Sequence, residues 1–342
     1  MKNRSLVLAL MAATTSLAAF AQQPPPRMPF PEPTGRAALS EGPIMLERAA
    51  KQQNLPDLPG SGPYIATYDE VSDAKITVYA PKDLAAASAQ RKLPIYAFGN
   101  GGCSYDGAAQ RFHLLDIASF GYVVITPGTI QSGPKGPSKS ASPQVPGNLN
   151  FDPNAPRQTV ALLSAAIDWL IAENARAGSS YYNKIDTSRI AVAGGSCGGM
   201  LAMSVALEPR IKSLIMFNSG VFPAAMVAAA PPAMRSAFSV TKADLDRLHA
   251  PVLYMTGGEE DLAYANARDD FSKITKVAAF WADRPHTGHL GMAFDANAEG
   301  TKIAFHWLEY TLFGDRKAGQ MFVGKDCSLC RDLVWKVSQR GL

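Results

Sequence analysis

The 342-residue sequence has no dense run of lysine or arginine. A nucleic-acid partner needs clustered cations, so none is expected. It has no G-x-G-x-x-G, and no lysine follows Gly194-Gly195-Ser196-Cys197-Gly198 as a phosphate-binding P-loop requires. Beyond the first two dozen residues no stretch is apolar over the roughly 20 residues a membrane-spanning helix needs. No internal repeat is visible. Cysteine is scarce: Cys103, Cys197, Cys327 and Cys330 are the four. An even number fits two bridges, and four cysteines allow three connectivities. Zinc at the C-x-x-C of Cys327 and Cys330 would need two further ligands nearby, and none is evident, so no metal is expected.

What is present begins with an export signal. Lys2 and Arg4 precede an apolar Ala/Leu-rich run to Phe20, and Ala19-Phe20-Ala21 supplies small residues where a signal peptidase reads. Residues 1–21 are therefore expected to be removed before Gln22, which places the chain in the periplasm or outside the cell. The apolar run is too short for a stable membrane anchor. Cleavage leaves 321 residues and lowers the net charge from +4 to +2, because Lys2 and Arg4 leave and no acid does. Export also makes disulfides permissible. Residues 22–60, rich in proline, glutamine and glycine, read as a leader and linker with a weak helical patch from Ile44 to Gln53. Residues 61–342 read as one domain with a C-x-x-C tail.

From Tyr64 onward strands and helices alternate. Tyr64–Tyr68, Lys75–Tyr79, Leu93–Phe98, Tyr122–Thr126, Arg189–Ala193, Ile211–Phe217, Val252–Thr256 and Val277–Trp281 read as strands. Residues 107–119, 158–174, 197–207, 266–274 and 298–312 have helical spacing. Such alternation implies a doubly wound, mostly parallel sheet with helices on both faces. A ligand then sits beyond the carboxyl ends of the strands.

Gly194-Gly195-Ser196-Cys197-Gly198 lies there and matches G-x-S-x-G. A serine on a sharp strand-to-helix turn needs small neighbours, and the helix N-terminus behind it aims amides at developing negative charge. The run Ile185-Asp186-Thr187-Ser188-Arg189-Ile190-Ala191-Val192-Ala193-Gly194-Gly195-Ser196 resembles the approach to the nucleophile elbow of α/β-hydrolases. Within that superfamily the chain is similar to the dienelactone-hydrolase-like and cutinase-like polyesterase branch, over roughly residues 75–315 by motif order.

The resemblance implies an α/β-hydrolase fold and a Ser–acid–His order. Ser196 is then the nucleophile, and the Cys197 N–H one oxyanion donor. The second donor falls in Phe98-Gly99-Asn100-Gly101-Gly102-Cys103, where Asn100 stands in place of the histidine of the HGGG-type loop. Cys103 is the favoured donor, with Gly102 next. On that reading Cys103 and Cys197 face each other and are expected to form a disulfide that holds both amides. Cys327 and Cys330 are expected to staple the tail locally. After Val252–Thr256 three acids compete, Glu259, Glu260 and Asp261, and the family spacing selects Asp261. His286 and His289 both lie in the loop before the last long helix. The flanking Gly288 and Gly291 favour His289 as base, with His286 the alternative. Residues 221–248, with Phe222, Met226, Met234 and Phe238, form either a small lid with an apolar lining or a plain cover for the sheet. The expected activity is hydrolysis of a small-molecule or polymeric ester through an acyl-enzyme, with no cofactor. An amidase or peptidase on the same triad, and a non-catalytic secreted binding protein, are the alternatives. Oligomeric state is not legible.

Overall fold

The structure, a computed structural model, describes residues 52, 55–137, 156–229, 235, 238–294 and 298–342. Residues 1–21, expected to be a signal segment, and most of residues 22–60, expected to be a leader, lie outside the described residues. So do residues 138–155 of the loop that precedes the helix read at 158–174, and Met234 of the 221–248 segment.

Nine strands form one sheet. They are β1 (Ala66–Val71), β2 (Ile76–Pro81), β3 (Leu93–Gly99), β4 (Val123–Pro127), β5 (Ile185–Gly195), β6 (Ile211–Phe217), β7 (Val252–Thr256), β8 (Ala279–Asp283) and β9 (Lys336–Arg340). Their spatial order is β1-β2-β4-β3-β5-β6-β7-β8-β9. The six strands from β4 through β8 are parallel, while the pairings β1·β2, β2·β4 and β8·β9 at the two edges are antiparallel. This is the mostly parallel arrangement expected from the alternation, and it agrees with the α/β-hydrolase fold that the resemblance implies. The central strands are buried on both faces, so they read as continuous apolar runs such as Ile190-Ala191-Val192-Ala193.

Two apolar layers sandwich the sheet. One packs α3 (Val160–Ala175) and α4 (Cys197–Val205) on Ile95, Val192, Leu214 and Tyr254. The other packs α2 (Arg111–Ser119) and α7 (Glu299–Phe313) on Tyr96, Phe98, Phe217 and Leu253. Thr159 caps α3, its hydroxyl accepting from the Leu162 N–H at 3.2 Å. Gly314, at φ +68°, ends α7 in the left-handed turn that glycine adopts without strain. Glu309 on α7 takes a two-pronged bond from Arg91, both at 2.8 Å, and accepts from the Tyr122 hydroxyl at 2.7 Å. The remaining α-helices among the described residues are α1 (Leu84–Ser88), α5 (Ala224–Ala229), α6 (Tyr264–Lys273), α8 (Arg316–Gly319) and α9 (Ser328–Arg331).

Some boundaries moved. The helix expected from Gly107 begins at Arg111, because Gly107 serves packing first. Its N–H donates to Thr129, its carbonyl accepts from Tyr79, and a Cβ there would lie 1.9 Å from Thr77 Oγ1. The end of the segment read as a leader also packs on the sheet's helices. The Arg111 guanidinium donates to Asp57 and to the carbonyls of Gln52 and Leu55. Among the described residues no helix is long and apolar enough to cross a membrane.

Candidate active site

The carboxyl ends of β3, β5, β6, β7 and β8 deliver every residue of the site. Ser196 follows β5 and opens α4, at φ +49°, ψ −120°. For a non-glycine residue that is a strained conformation, and such outliers gather at functional sites. Its backbone is held on three sides. The Ser196 N–H donates to Phe217 O at 3.0 Å, and its carbonyl accepts from the Gly199 N–H at 3.0 Å and from Ser219 Oγ at 2.7 Å. The flanking glycines permit close approach of chains. A Cβ on Gly198 would lie 2.0 Å from Gly99 O, and one on Gly194 would lie 2.2 Å from Gly198 O. The elbow and the loop after β3 therefore meet backbone to backbone.

Ser196 Oγ lies 2.9 Å from His289 Nε2, and His289 Nδ1 lies 2.6 Å from Asp261 Oδ1. Asp261 is fully buried, and burial alone would raise its pKa. His289, the Ala263 N–H and the Asn218 amide outweigh that and hold the carboxyl below its ordinary value. Its Oδ1 also accepts from Ala263 N at 2.9 Å, and its Oδ2 from Gly257 N at 3.0 Å and Asn218 Nδ2 at 2.6 Å. The neighbouring Asp283 holds the start of the same loop, accepting from Thr256 Oγ1 at 2.7 Å and Gly258 N at 2.8 Å. Burial, together with the nearby charge of Asp261, raises the Asp283 pKa.

The two histidines of the loop part company. His286, 86% exposed, pairs with Glu260 at 2.7 Å, outside the buried site, whereas His289 is 8% exposed. Glu259 is exposed. His113, 1% exposed, sits between the Tyr96 hydroxyl and Thr301, and burial lowers its pKa to about 3. His249 and His306 donate to the carbonyls of Ile211 and Lys302.

Cys103 and Cys197 are joined by a disulfide, with Cα atoms 5.2 Å apart, and Cys327 and Cys330 by another. The first ties the loop after β3 to the elbow. That loop has further anchors: Asn100 N donates to Gln158 Oε1 at 2.8 Å, Gln158 N to Cys103 O at 2.9 Å, and Arg157 to Gly102 O at 2.8 Å. The two candidate amides of this loop differ in their bonding. The Cys103 N–H closes a turn onto Asn100 O at 3.0 Å and is spent. The Gly102 N–H, like that of Cys197, donates to no group among the described residues. Cys103, at φ +50°, instead serves through its sulfur.

A narrow cleft of about 10 Å³ adjoins Ser196 and His289, lined by Asn218, Ser219, Phe222, Leu262 and Ala263. Phe222 is backed by Phe238, ring centroids 5.1 Å apart. The 221–248 segment thus gives Phe222 to the cleft lining and Val221, Phe238, Val240, Leu245 and Leu248 to the core. A larger cavity of about 420 Å³, lined by Arg189, Lys212, His249 and Thr311 among others, opens at the amino ends of β5, β6 and β7, away from Ser196. Among the described residues no group of three or more His, Cys, Asp or Glu side chains could hold a metal ion.

Sequence reasoning missed Asn218, Ser219 and Gln158. All three are ordinary polar residues at strand or helix ends, and only the packed fold shows what they hold.

Residues 157–284 match the model of an alpha/beta hydrolase fold family. The matched span includes Ser196 and Asp261 and stops short of His289 and of the Gly99–Cys103 loop. A search of curated proteins finds no match to the sequence.

Proposed function

We propose that the protein is a serine hydrolase that cleaves carboxylic esters through an acyl-enzyme. The observation that carries the reading is the chain of two short contacts, Asp261 to His289 and His289 to Ser196. Nucleophile and base lie within hydrogen-bond reach, and a third group orients the base. Ser196 Oγ attacks the ester carbonyl carbon while His289 Nε2 takes its proton. The carbonyl oxygen, now an anion, receives the unspent N–H groups of Gly102 and Cys197. Collapse of the tetrahedral adduct expels the alkoxide, which takes the proton from His289. Water then attacks the acyl-serine, with His289 again as base, and the carboxylic acid leaves.

The narrow cleft favours a small group on one side of the carbonyl and sets no limit on the other side, so the substrate is a small-molecule or polymeric ester. The basic and apolar start of the chain and the two disulfides support export to the periplasm or beyond.

The test is p-nitrophenyl acetate turnover together with labelling by a fluorophosphonate. The wild type should turn over and label, and Ser196→Ala should do neither while melting cooperatively. Turnover that survives Ser196→Ala would overturn the assignment. Cleavage of the matching anilide at a comparable rate would redirect it to an amidase.

A further inference from the structure

We infer that Asn218 is a positioning residue that sets the acid and the base of the site against each other. The inference rests on the triad reading above. Asn218 is the first residue after β6, 4% exposed, and belongs to neither loop it touches. One side-chain nitrogen reaches both: Nδ2 donates to Asp261 Oδ2 at 2.6 Å and to Gly288 O at 3.2 Å. Gly288 immediately precedes His289, so a single amide fixes the carboxylate after β7 and the peptide that carries the imidazole after β8. The backbone holds the amide in place, since the Asn218 N–H continues the sheet by donating to Met255 O at 2.8 Å.

The residue type follows from the geometry. Two donors on one atom are needed, facing a carboxylate and a carbonyl; aspartate would offer none and serine one. The backbone φ of +45° is one that asparagine tolerates better than most side chains. A hydrogen bond to an ionised group in a buried site is among the stronger ones. Asn218 supplies the shorter of the two bonds on Oδ2, so it keeps Asp261 ionised and aims Oδ1 at His289 Nδ1. The titratable groups facing Asp261 are His289 and Asp283. Glu260 and His286 form their own pair at the surface.

Asn218→Asp tests this on the full chain with p-nitrophenyl acetate. The change is isosteric and keeps a residue suited to positive φ, but it replaces both donors by acceptors. We expect kcat to fall about 10- to 100-fold with KM little changed, by the worth of a charge-assisted bond. The base must be neutral to act, and a carboxylate in place of the amide adds negative charge that favours its protonated form, so the acid limb of the kcat profile should move to higher pH by about one unit or more. Asn218→Gly keeps the backbone conformation without a carboxylate and should show a smaller fall and a smaller shift in the same directions. Should Asn218→Asp fail to fold, the glycine variant decides. A folded variant with wild-type kcat and an unmoved acid limb overturns the inference. If Ser196→Ala is dead while both Asn218 variants match wild type, this inference alone fails. If Ser196→Ala stays active, the triad reading fails with it.

Discussion

Ser196 sits in a conformation that local physics disfavours, and three hydrogen bonds to its backbone, one of them from the Ser219 hydroxyl, hold it there. The residues around it are correspondingly intolerant of added volume. The cleft beside it holds about 10 Å³, roughly one water by the usual measure. Phe222, Leu262 and Ala263 form its apolar walls. Each methylene that does not fit costs about 1–3 kcal/mol in discrimination. Across p-nitrophenyl esters, kcat/KM should therefore be highest for acetate or propionate and fall at least about tenfold by hexanoate. Leu262→Ala should flatten that series by favouring the longer chains, with acetate turnover nearly unchanged. A flat series in the wild type, measured by initial rates, would mean the cleft does not bind the acyl group. Ser196, Asp261 and His289 were legible as candidates because each sits in a glycine-marked segment of known order. The identity of the uncommitted amide was not legible. Whether Gly102 or Cys103 closes onto Asn100 depends on the φ of +65° and +50° at those two residues, which no sequence pattern near Asn100 announces.

Among the elements, the buried parallel strands declared themselves as short apolar runs, because both faces are covered and nothing polar interrupts them. The last strand did not. Lys336–Arg340 carries one β-branched residue among lysine, serine, glutamine and arginine, and it joins the sheet edge through backbone pairing with β8. Its positions are one exposed and four half-buried, with no alternation, so periodicity had nothing to detect. The 221–248 segment was ambiguous between lid and cover, and α6 shows what anchors it. Asp270, on α6, accepts from the Val221 N–H at 2.7 Å near the segment's start and from Lys242 Nζ at 2.5 Å near its end, with the Tyr254 hydroxyl at 3.2 Å. Burial raises the Asp270 pKa to about 6, although Lys242 and the two hydrogen bonds pull it down. An acid raised in the folded state binds more protons there than when unfolded, so its contribution to stability falls between about pH 4 and pH 6 and is level above. The size of that loss is on the order of 2–3 kcal/mol. Asp270→Asn removes the titration. The difference in unfolding free energy between pH 4 and pH 7, from urea curves, should be smaller in the variant than in the wild type by that amount. Equal differences in the two proteins would show that Asp270 does not titrate in this window.

At the scale of the whole molecule, the two disulfides do unlike things. Cys327 and Cys330 are 3 residues apart and close a short loop in the tail. Cys103 and Cys197 are 94 residues apart and join the loop after β3 to the elbow after β5. A bridge restrains the unfolded chain more as the loop it closes lengthens, so the long one should contribute about 4–5 kcal/mol in the chain-entropy description. It also ties together the two segments whose amides, on the proposed mechanism, receive the oxyanion. Stability and turnover should then fall together when it is removed. The Cys103→Ala/Cys197→Ala double variant should lose several kcal/mol in urea unfolding and at least about tenfold in kcat for p-nitrophenyl acetate, since a loosened donor weakens transition-state binding. The Cys327→Ala/Cys330→Ala variant should lose far less of either. Neither Cys103 nor Cys197 is more than 5% exposed, so a mild reductant should leave the folded wild type active and act only once the chain opens. Protein made in a reducing cytoplasm and assayed before oxidation should match the first double variant, and oxidation should restore it. If the reduced protein is as stable and as fast as the oxidised one, the bridge is incidental to the site.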